Sequence, residues 1–388
     1  WFPDFKTFWA AENMVGSLHN ILTLRGAEVR DAARWSTYIS ETIYRFADQA
    51  EVMFASHNWP RWGRERIIEV MRNQRDMYAH LNNQVLHLAN RGVTINQIHN
   101  VYEPPKTLQK VWYARGYHGS YAHNSRAIMQ RYLGYWDLNP ATLIPASPED
   151  SAPLYAEMMG GAAKIIAKGR ELFDQGTYLL AVEILNKLVY AEPQNQEAKD
   201  LLADVYEQLG YQQESLALRN SFLSGAKELR DGVVPVSAAK TGSADFVRGT
   251  STQMMLEYLG IQMDSRKAEG MQFKLNLHTP DNGERFIVEL SNATLTTVSG
   301  YQADDADLTI TIDRRELEDV MIGAATFVEK VQAGKATLVG NPQILAQLAS
   351  TMVKFDSWFE VLPGTKPATD AQPKAELFED DAPVEPRP

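Results

Sequence analysis

The sequence predicts a multidomain α+β protein, because the pattern of apolar residues changes twice along its 388 residues. Strand-like and helix-like segments alternate over residues 1–63. Helical periodicity then continues over 64–232, and strands followed by helices return over 238–362. Segment 363–388 is rich in proline and acidic residues, which predicts a disordered tail.

The first segment has the pattern of strand, loop, helix and strand. An apolar stretch ends near Ala11, a helix is predicted over 32–47 from apolar residues at helical spacing, and a short apolar run predicts a strand over 51–56. Loops that follow strands in α/β folds commonly carry the chemistry. Glu12 and His57 each follow one of these strands, so both are candidate metal ligands.

The second segment is predicted to be all-α, with prolines dividing it into helices. Gly176 and Gly210 lie 34 residues apart and each is followed by an aromatic residue, which matches the tetratricopeptide period. About one and a half repeats are too few for an independent solenoid. We therefore expect these helices to pack against other helices or a second subunit, and we predict a homodimer through this domain.

The third segment is predicted to be an α+β domain. One helix is predicted over 246–259. The strands and helices predicted after it are 271–278, 285–290, 293–299 and 307–312, then 315–322, 325–333 and 342–351.

Composition excludes several classes of function. The net charge of -11 without a basic stripe disfavours nucleic acid as a partner. The chain has no cysteine, so disulfides and thiolate metal sites are excluded and any metal must be held by histidines and carboxylates. No apolar run is long enough to predict a membrane span.

Several short motifs occur in a fixed order along the chain and together carry a family resemblance. They are Ala11-Glu12-Asn13, His19-Asn20, Thr23-Leu24-Arg25-Gly26, Phe54-Ala55-Ser56-His57-Asn58-Trp59-Pro60 and Arg115-Gly116-Tyr117-His118-Gly119. This pattern, over about 1–360, resembles the alkyl sulfatases of the metallo-β-lactamase superfamily. The resemblance implies that 1–63 is the C-terminal part of a catalytic domain with the metallo-β-lactamase αβ/βα fold. It further implies that 64–232 is a helical dimerisation domain and 238–362 a sterol-carrier-protein-like domain.

The resemblance also implies roles for individual residues in hydrolysing alkyl sulfate esters, such as dodecyl sulfate, to alcohol and sulfate. Glu12 would be the carboxylate shared between two zinc ions, and His57 would bind one of them. Paired cations need an anionic bridge, and together they activate water near neutral pH. Asn20 and Arg25 would bind the sulfate group, since a guanidinium fork suits a tetrahedral oxyanion.

Other polar residues are left with open roles. Asn13, His19 and Arg30 are candidates for contacts behind the ligands or for protonating the leaving group, and the sequence does not identify the general acid. For His118 and His123 we expect a packed loop rather than a metal pair, because the glycines beside His118 argue against a regular helix.

The H-x-H-x-D-H zinc motif of the family does not occur in these 388 residues. We therefore expect an N-terminal truncation and a chain that alone neither binds two zincs tightly nor hydrolyses sulfate esters. The resemblance further implies a periplasmic or secreted location.

Two other functions remain open. One is an aliphatic-chain-binding and dimerisation module without catalysis, and the other is a helical-repeat module that binds another protein. Apolar residues of the third segment could line a cavity for an alkyl chain or form plain core. They are Met254, Met255, Leu259, Phe327, Val328 and Leu348.

Overall fold

The computed structural model describes residues 1–233, 243–355 and 359–366. These residues form two compact units, one of 1–233 with 360–366 and the other of 243–355 with 359. The described part mixes many helices with two small sheets, as the α+β prediction requires. Within it, no helix combines the length and apolarity needed to cross a bilayer.

The first unit begins with a three-stranded sheet in the order β1 (Thr7–Trp9), β2 (Val52–Phe54), β3 (Arg61–Trp62). β1 and β2 run parallel, with Thr7 paired to Val52 and Trp9 to Phe54, whereas β3 is antiparallel to β2. Parallel neighbours end at the same edge of a sheet, so the loops after β1 and β2 lie side by side. The strand, loop, helix and strand order predicted from the sequence is confirmed.

Helix α1 (Ala32–Thr42) joins the two parallel strands, and a π-helical turn (Ile43–Ala47) continues it. Asp31 caps α1 by accepting from the backbone N–H of Arg34. The buried face of α1 includes Trp35, which stacks on Tyr78 with ring centroids 4.5 Å apart. This packing fixes α1 against the long helix that follows the sheet.

Helices follow one another from residue 64 to 231, as predicted. They are α2 (Arg64–Ala89), α3 (Ile98–Val101), α4 (Lys106–Gln109), α5 (Tyr121–Leu133), α6 (Pro148–Met158), α7 (Ala162–Asp174), α8 (Tyr178–Ala191), α9 (Gln196–Tyr211) and α10 (Leu216–Asp231). Two apolar cores organise them, one shared by the sheet with α1 to α5 and the other formed by α6 to α10.

The two glycines of the 34-residue period have different physical roles. Gly176 occupies a left-handed position (φ +71°) in the turn between α7 and α8, where a side chain would be strained. Gly210 lies inside α9, and a Cβ there would lie 3.1 Å from the side chain of Leu223 in α10. The period therefore marks one turn and one close helix contact.

The second unit contains a five-stranded sheet with flanking helices. Its strands are β4 (Phe273–Thr279), β5 (Glu284–Ser291), β6 (Thr294–Ser299), β7 (Leu308–Ile312) and β8 (Ala336–Gly340), in the spatial order β6-β5-β4-β7-β8. Its helices are α11 (Ala244–Gly249), α12 (Thr252–Gln262), α13 (Arg314–Met321), α14 (Phe327–Gln332) and α15 (Gln343–Thr351).

The single helix predicted over 246–259 is wrong, because the chain forms two helices there. Thr250 is extended, and the Ser251 side chain accepts from the backbone N–H of Met254 to start α12. Of the six candidate cavity residues, Met255 and Leu348 are buried, but Met254 and Val328 are 60% and 62% exposed. Those two side chains neither line a cavity nor belong to the core.

After the second unit the chain returns to α10. Glu228 accepts hydrogen bonds from the backbone N–H groups of Val361 and Leu362 and from the Thr365 hydroxyl. The N–H of Val233 donates to the carbonyl of Thr365 at 3.1 Å. Residues up to 366 therefore pack on the helical unit, although disorder was expected from residue 363. The rest of that predicted tail, 367–388, lies outside the described residues.

Candidate metal and sulfate site

The loops after β1 and β2 bring Glu12 and His57 together. The backbone N–H of Ser56 donates to the carbonyl of Ala11 at 2.8 Å, which holds the two loops side by side. Glu12 Oε1 then lies 3.7 Å from His57 Nε2. The parallel pairing of the two strands explains this proximity, since Glu12 and His57 are 45 residues apart in sequence.

Three histidines form a cluster at this place. His19, His57 and His118 each offer a ring nitrogen, and these nitrogens all lie within 4.8 Å of one another. The ring centroids of His19 and His118 are 4.3 Å apart, and those of His57 and His118 are 5.1 Å apart. Each histidine comes from a different loop, so the cluster depends on tertiary packing that brings the three loops together.

His19 is held rigidly and has one unused nitrogen. Its backbone N–H donates to the Tyr78 hydroxyl, and its Nδ1 lies 3.0 Å from the carbonyl oxygen of Asn20. A carbonyl can only accept, so Nδ1 carries the proton and Nε2 presents a lone pair. That Nε2 is buried and has no hydrogen-bond partner among the described residues.

Burial lowers the pKa of His19 to about 4. The ring is therefore neutral near pH 7, the form in which imidazole binds a metal. Burial and the neighbouring His57 likewise lower the pKa of His118. These two rings are thus prepared to act as ligands rather than as cations.

Glu12 adds a carboxylate between the rings. Its Oε2 lies 3.4 Å from His19 Nε2, while Oε1 faces His57. Metal–ligand bonds of about 2.1 Å place neighbouring ligands of a tetrahedral zinc about 3.4 Å apart, close to these separations. The donor set of neutral imidazoles and one carboxylate fits a zinc-type ion, and the unsatisfied Nε2 of His19 is the atom that such an ion would satisfy.

The predicted sulfate-binding residues border this cluster. Asn20 is buried, and its amide Nδ2 lies 3.4 Å from His118 Nε2. Arg30 donates to the backbone carbonyl of Asn20 at 2.9 Å and also to its side-chain oxygen, which orients the amide. Arg25 is exposed, and its charge and that of Arg30 both lower the pKa of His118. Two cations beside neutral ligands make the site attractive to an anion.

Asn13 lies apart from these contacts. Its backbone carbonyl accepts from the indole N–H of Trp35 at 3.0 Å, while its side chain is exposed. Its structural contact is therefore made by the main chain.

The sequence interpretation missed His118 as a member of the cluster. The structure does place it in an irregular loop, as expected, but that loop reaches His19 because Gly119 packs against the His19 carbonyl. A Cβ at Gly119 would lie 2.5 Å from that oxygen. His118 is 99 residues from His19, so no local spacing could have indicated the contact. The loop expected at His123 is wrong, because His123 lies in the first turn of α5, capped by Ser120, and its Nε2 is 2.9 Å from the carbonyl oxygen of Leu22.

Asn124 supports the site from behind. It is fully buried, accepts from the backbone N–H of Ile21 and donates to the carbonyl of His19, both at 2.9 Å. These two bonds bracket Asn20, so the N-terminal turn of α5 holds the loop that carries two site residues.

Together, the folded units and this cluster define a multidomain protein with a candidate metal site of histidines and a carboxylate beside an anion-binding edge. Comparison with known proteins agrees with this class. Residues 94–232 match the family model described as alkyl sulfatase dimerisation, and residues 240–364 match that described as alkyl sulfatase C-terminal. The chain belongs to the alkyl sulfatase family.

Individual relatives support the assignment. The chain is 38% identical to a linear primary-alkylsulfatase of Pseudomonas sp., over 92% of this chain and 53% of the relative. It is 36% identical to an alkyl/aryl-sulfatase of Saccharomyces cerevisiae, over 93% of this chain and 55% of the relative. A solved stereoselective inverting sec-alkylsulfatase from Pseudomonas sp. superposes with a TM-score of 0.88 at 36% identity, covering 93% of this chain and 57% of that one. The chain thus spans about half the length of the curated relatives it matches.

Proposed function

We propose that this chain forms one side of a zinc-dependent site that hydrolyses alkyl sulfate esters to alcohol and sulfate. The observation that carries the proposal is the cluster of His19, His57 and His118 with Glu12 between the rings. The alkylsulfatase names of the relatives support the substrate class. The complete site is proposed to hold two zinc ions, with Glu12 as the carboxylate shared between them.

Each residue has a defined task in the proposed reaction. The three histidines and Glu12 would hold zinc, which would supply the activation of water near neutral pH. Asn20 and Arg25 bind the sulfuryl oxygens and stabilise charge that accumulates there. Arg30 donates to both oxygens of Asn20 and so keeps its amide Nδ2 directed toward the cluster.

His19 and Arg30 were candidates either for protonating the leaving group or for supporting the site, and their surroundings favour particular roles. A neutral His19 with a pKa of about 4 is a poor proton donor near pH 7, which favours a ligand role over protonation of the leaving group. Arg30 donates to both the backbone and the side-chain oxygen of Asn20, and these contacts favour a role in positioning Asn20.

A zinc titration of the metal-free chain tests the metal proposal. We expect about one zinc per chain, and we expect affinity to fall more than tenfold in His57→Ala and His118→Ala, since each loses one direct ligand. His87 is an exposed histidine of α2, so His87→Ala is the matched control and should leave affinity unchanged. Equal zinc affinity in all three variants would refute the proposed ligand set.

Turnover is tested separately with dodecyl sulfate. We propose that this chain alone neither holds two zincs nor hydrolyses the ester, because the H-x-H-x-D-H motif is not among its residues. A chain extended by a relative's segment that contains this motif should gain activity, and Glu12→Gln should abolish the gain. Activity of the unextended chain would contradict this part of the proposal.

A homodimer through the helical region is proposed as the assembly. The matched dimerisation model supports it, as do apolar side chains exposed in the same region. The exposed residues are Leu133, Tyr135, Leu138, Ile144, Leu154 and Met158. Light scattering should give twice the chain mass, and Ile144→Asp should shift it toward the monomer, whereas Ile261→Asp in the second unit should not. A monomeric parent chain would overturn this proposal.

A second candidate function is binding of an aliphatic chain by the second unit, whose likeness to sterol carrier proteins stays a prediction. The observation that favours it is an exposed apolar stripe on α12, where Met254, Tyr258 and Ile261 share one helical face. We expect dodecyl sulfate below its micellar concentration to bind, and Ile261→Asp to weaken that binding about tenfold or more. Val339→Asp, also at an exposed apolar site, is the control. Binding unaffected by Ile261→Asp would remove this candidate.

A further inference from the structure

We infer that the turn between α9 and α10 positions His118 for the metal centre, with Ser215 as the positioning residue. The inference rests on the proposed metal site and adds a residue that lies outside it. The argument starts from the loop of residues 115–120, which contains His118 and no regular helix or strand.

One side of this loop is held by the segment that carries His19. The backbone N–H of Leu18 donates to the carbonyl of Arg115 at 2.9 Å, and the N–H of Gly119 donates to the carbonyl of Leu18 at 2.7 Å. These bonds fix the distance between the His19 and His118 backbones but leave the opposite side of the loop unsupported.

The α9–α10 turn supplies that support. The backbone N–H of Leu216 donates to the carbonyl of Tyr117 at 3.0 Å. The Ser215 hydroxyl donates to the carbonyl of His118 itself at 3.2 Å. Glu214 also pairs with Arg115, but both side chains are about half exposed, so this ion pair contributes little.

The Ser215 hydroxyl donates to the His118 carbonyl and does not cap helix α10. Ser215 occupies the N-cap position of α10, where a serine side chain usually accepts from the first turn, yet it makes no such bond. The hydroxyl is buried and directed at His118 instead. A cap stabilises its helix, so the chain forgoes helix stabilisation at this position and holds the His118 backbone instead.

Groups behind metal ligands set ligand orientation, and their loss typically costs about 10- to 100-fold in metal affinity. Ser215→Ala should therefore weaken zinc binding at least tenfold, together with a modest fall in the unfolding midpoint because the His118 carbonyl loses its partner. Ser215→Thr keeps the hydroxyl and should restore affinity to within about threefold. The control is Ser147→Ala, which removes a serine that does cap its helix and should lower stability without changing zinc affinity.

The test is a zinc titration of the full metal-free chain and these three variants, with hydrogen exchange at residues 117–119 measured without zinc. Lower zinc affinity and faster exchange in Ser215→Ala, both restored in Ser215→Thr, are the expected result. Unchanged exchange in Ser215→Ala, or a loss that threonine does not rescue, would overturn the inference. Failure of the parent chain to bind zinc would count against the proposed function. Hydrogen exchange at residues 117–119 needs no metal, so it would still decide whether Ser215 positions the His118 loop.

Discussion

Replacing Asn124 by alanine removes both hydrogen bonds that bracket Asn20. The N–H of Ile21 and the carbonyl of His19 would then be buried without their partner. Each unsatisfied backbone group costs about 1–3 kcal/mol. We expect the free energy of unfolding of the first unit to fall by about 2–4 kcal/mol, after allowing for partial relaxation.

Urea unfolding followed by tryptophan fluorescence measures this loss, since seven of the eight tryptophans lie within residues 1–136. The matched control is Asn195→Ala. Asn195 caps α9 by accepting from Ala198, so its loss should cost about 1 kcal/mol. A cost for Asn124→Ala no larger than that of the control would show that the two bonds do not hold the site loop.

Three further changes have defined outcomes. The stability of the metal-free chain should fall by up to about 3 kcal/mol as pH decreases from about 6.5 to about 4, because the unfolded state protonates His19 while the folded state keeps it neutral. Urea midpoints across this range should show the fall, and His19→Gln should reduce it. Gly119→Ala should lower zinc affinity about tenfold, since its added carbon must displace the His19 carbonyl, whereas Gly249→Ala, with no atom within 4 Å, should not. Arg314→Met should destabilise the second unit by about 2–4 kcal/mol, seen as faster hydrogen exchange in its sheet, because two backbone carbonyls and Glu318 lose their partner. Unchanged midpoints, affinity or exchange in these variants would contradict the respective assignment.

Much of the architecture could be predicted because it depends on local patterns. The strand at β2 and the helix at α1 follow directly from apolar spacing, and the placement of Glu12 and His57 follows from parallel strand order. The error at 246–259 arose because apolar residues stand at helical spacing on both sides of the polar pair Thr250 and Ser251. There the serine cap of α12 determined the local structure.

The site was only partly predictable for a different reason. Glu12, His19 and Asn20 belong to one short segment, so their proximity could be expected. His118 and Asn124 reach that segment across about a hundred residues, through a glycine contact and two side-chain hydrogen bonds. Contacts of this kind depend on tertiary packing, which periodicity does not encode.

The chain leaves the first unit and returns to it at neighbouring points, because residues 361–365 bind Glu228 of α10. The path leaves the helical unit near Val233 and comes back at Thr365, and these two residues are hydrogen-bonded to each other. The second unit is therefore inserted between two residues of the first unit that lie side by side, an arrangement that tolerates exchange or removal of a domain. A short linker across this point would leave the helical core closed, so a different domain could be grafted there without redesigning the first unit.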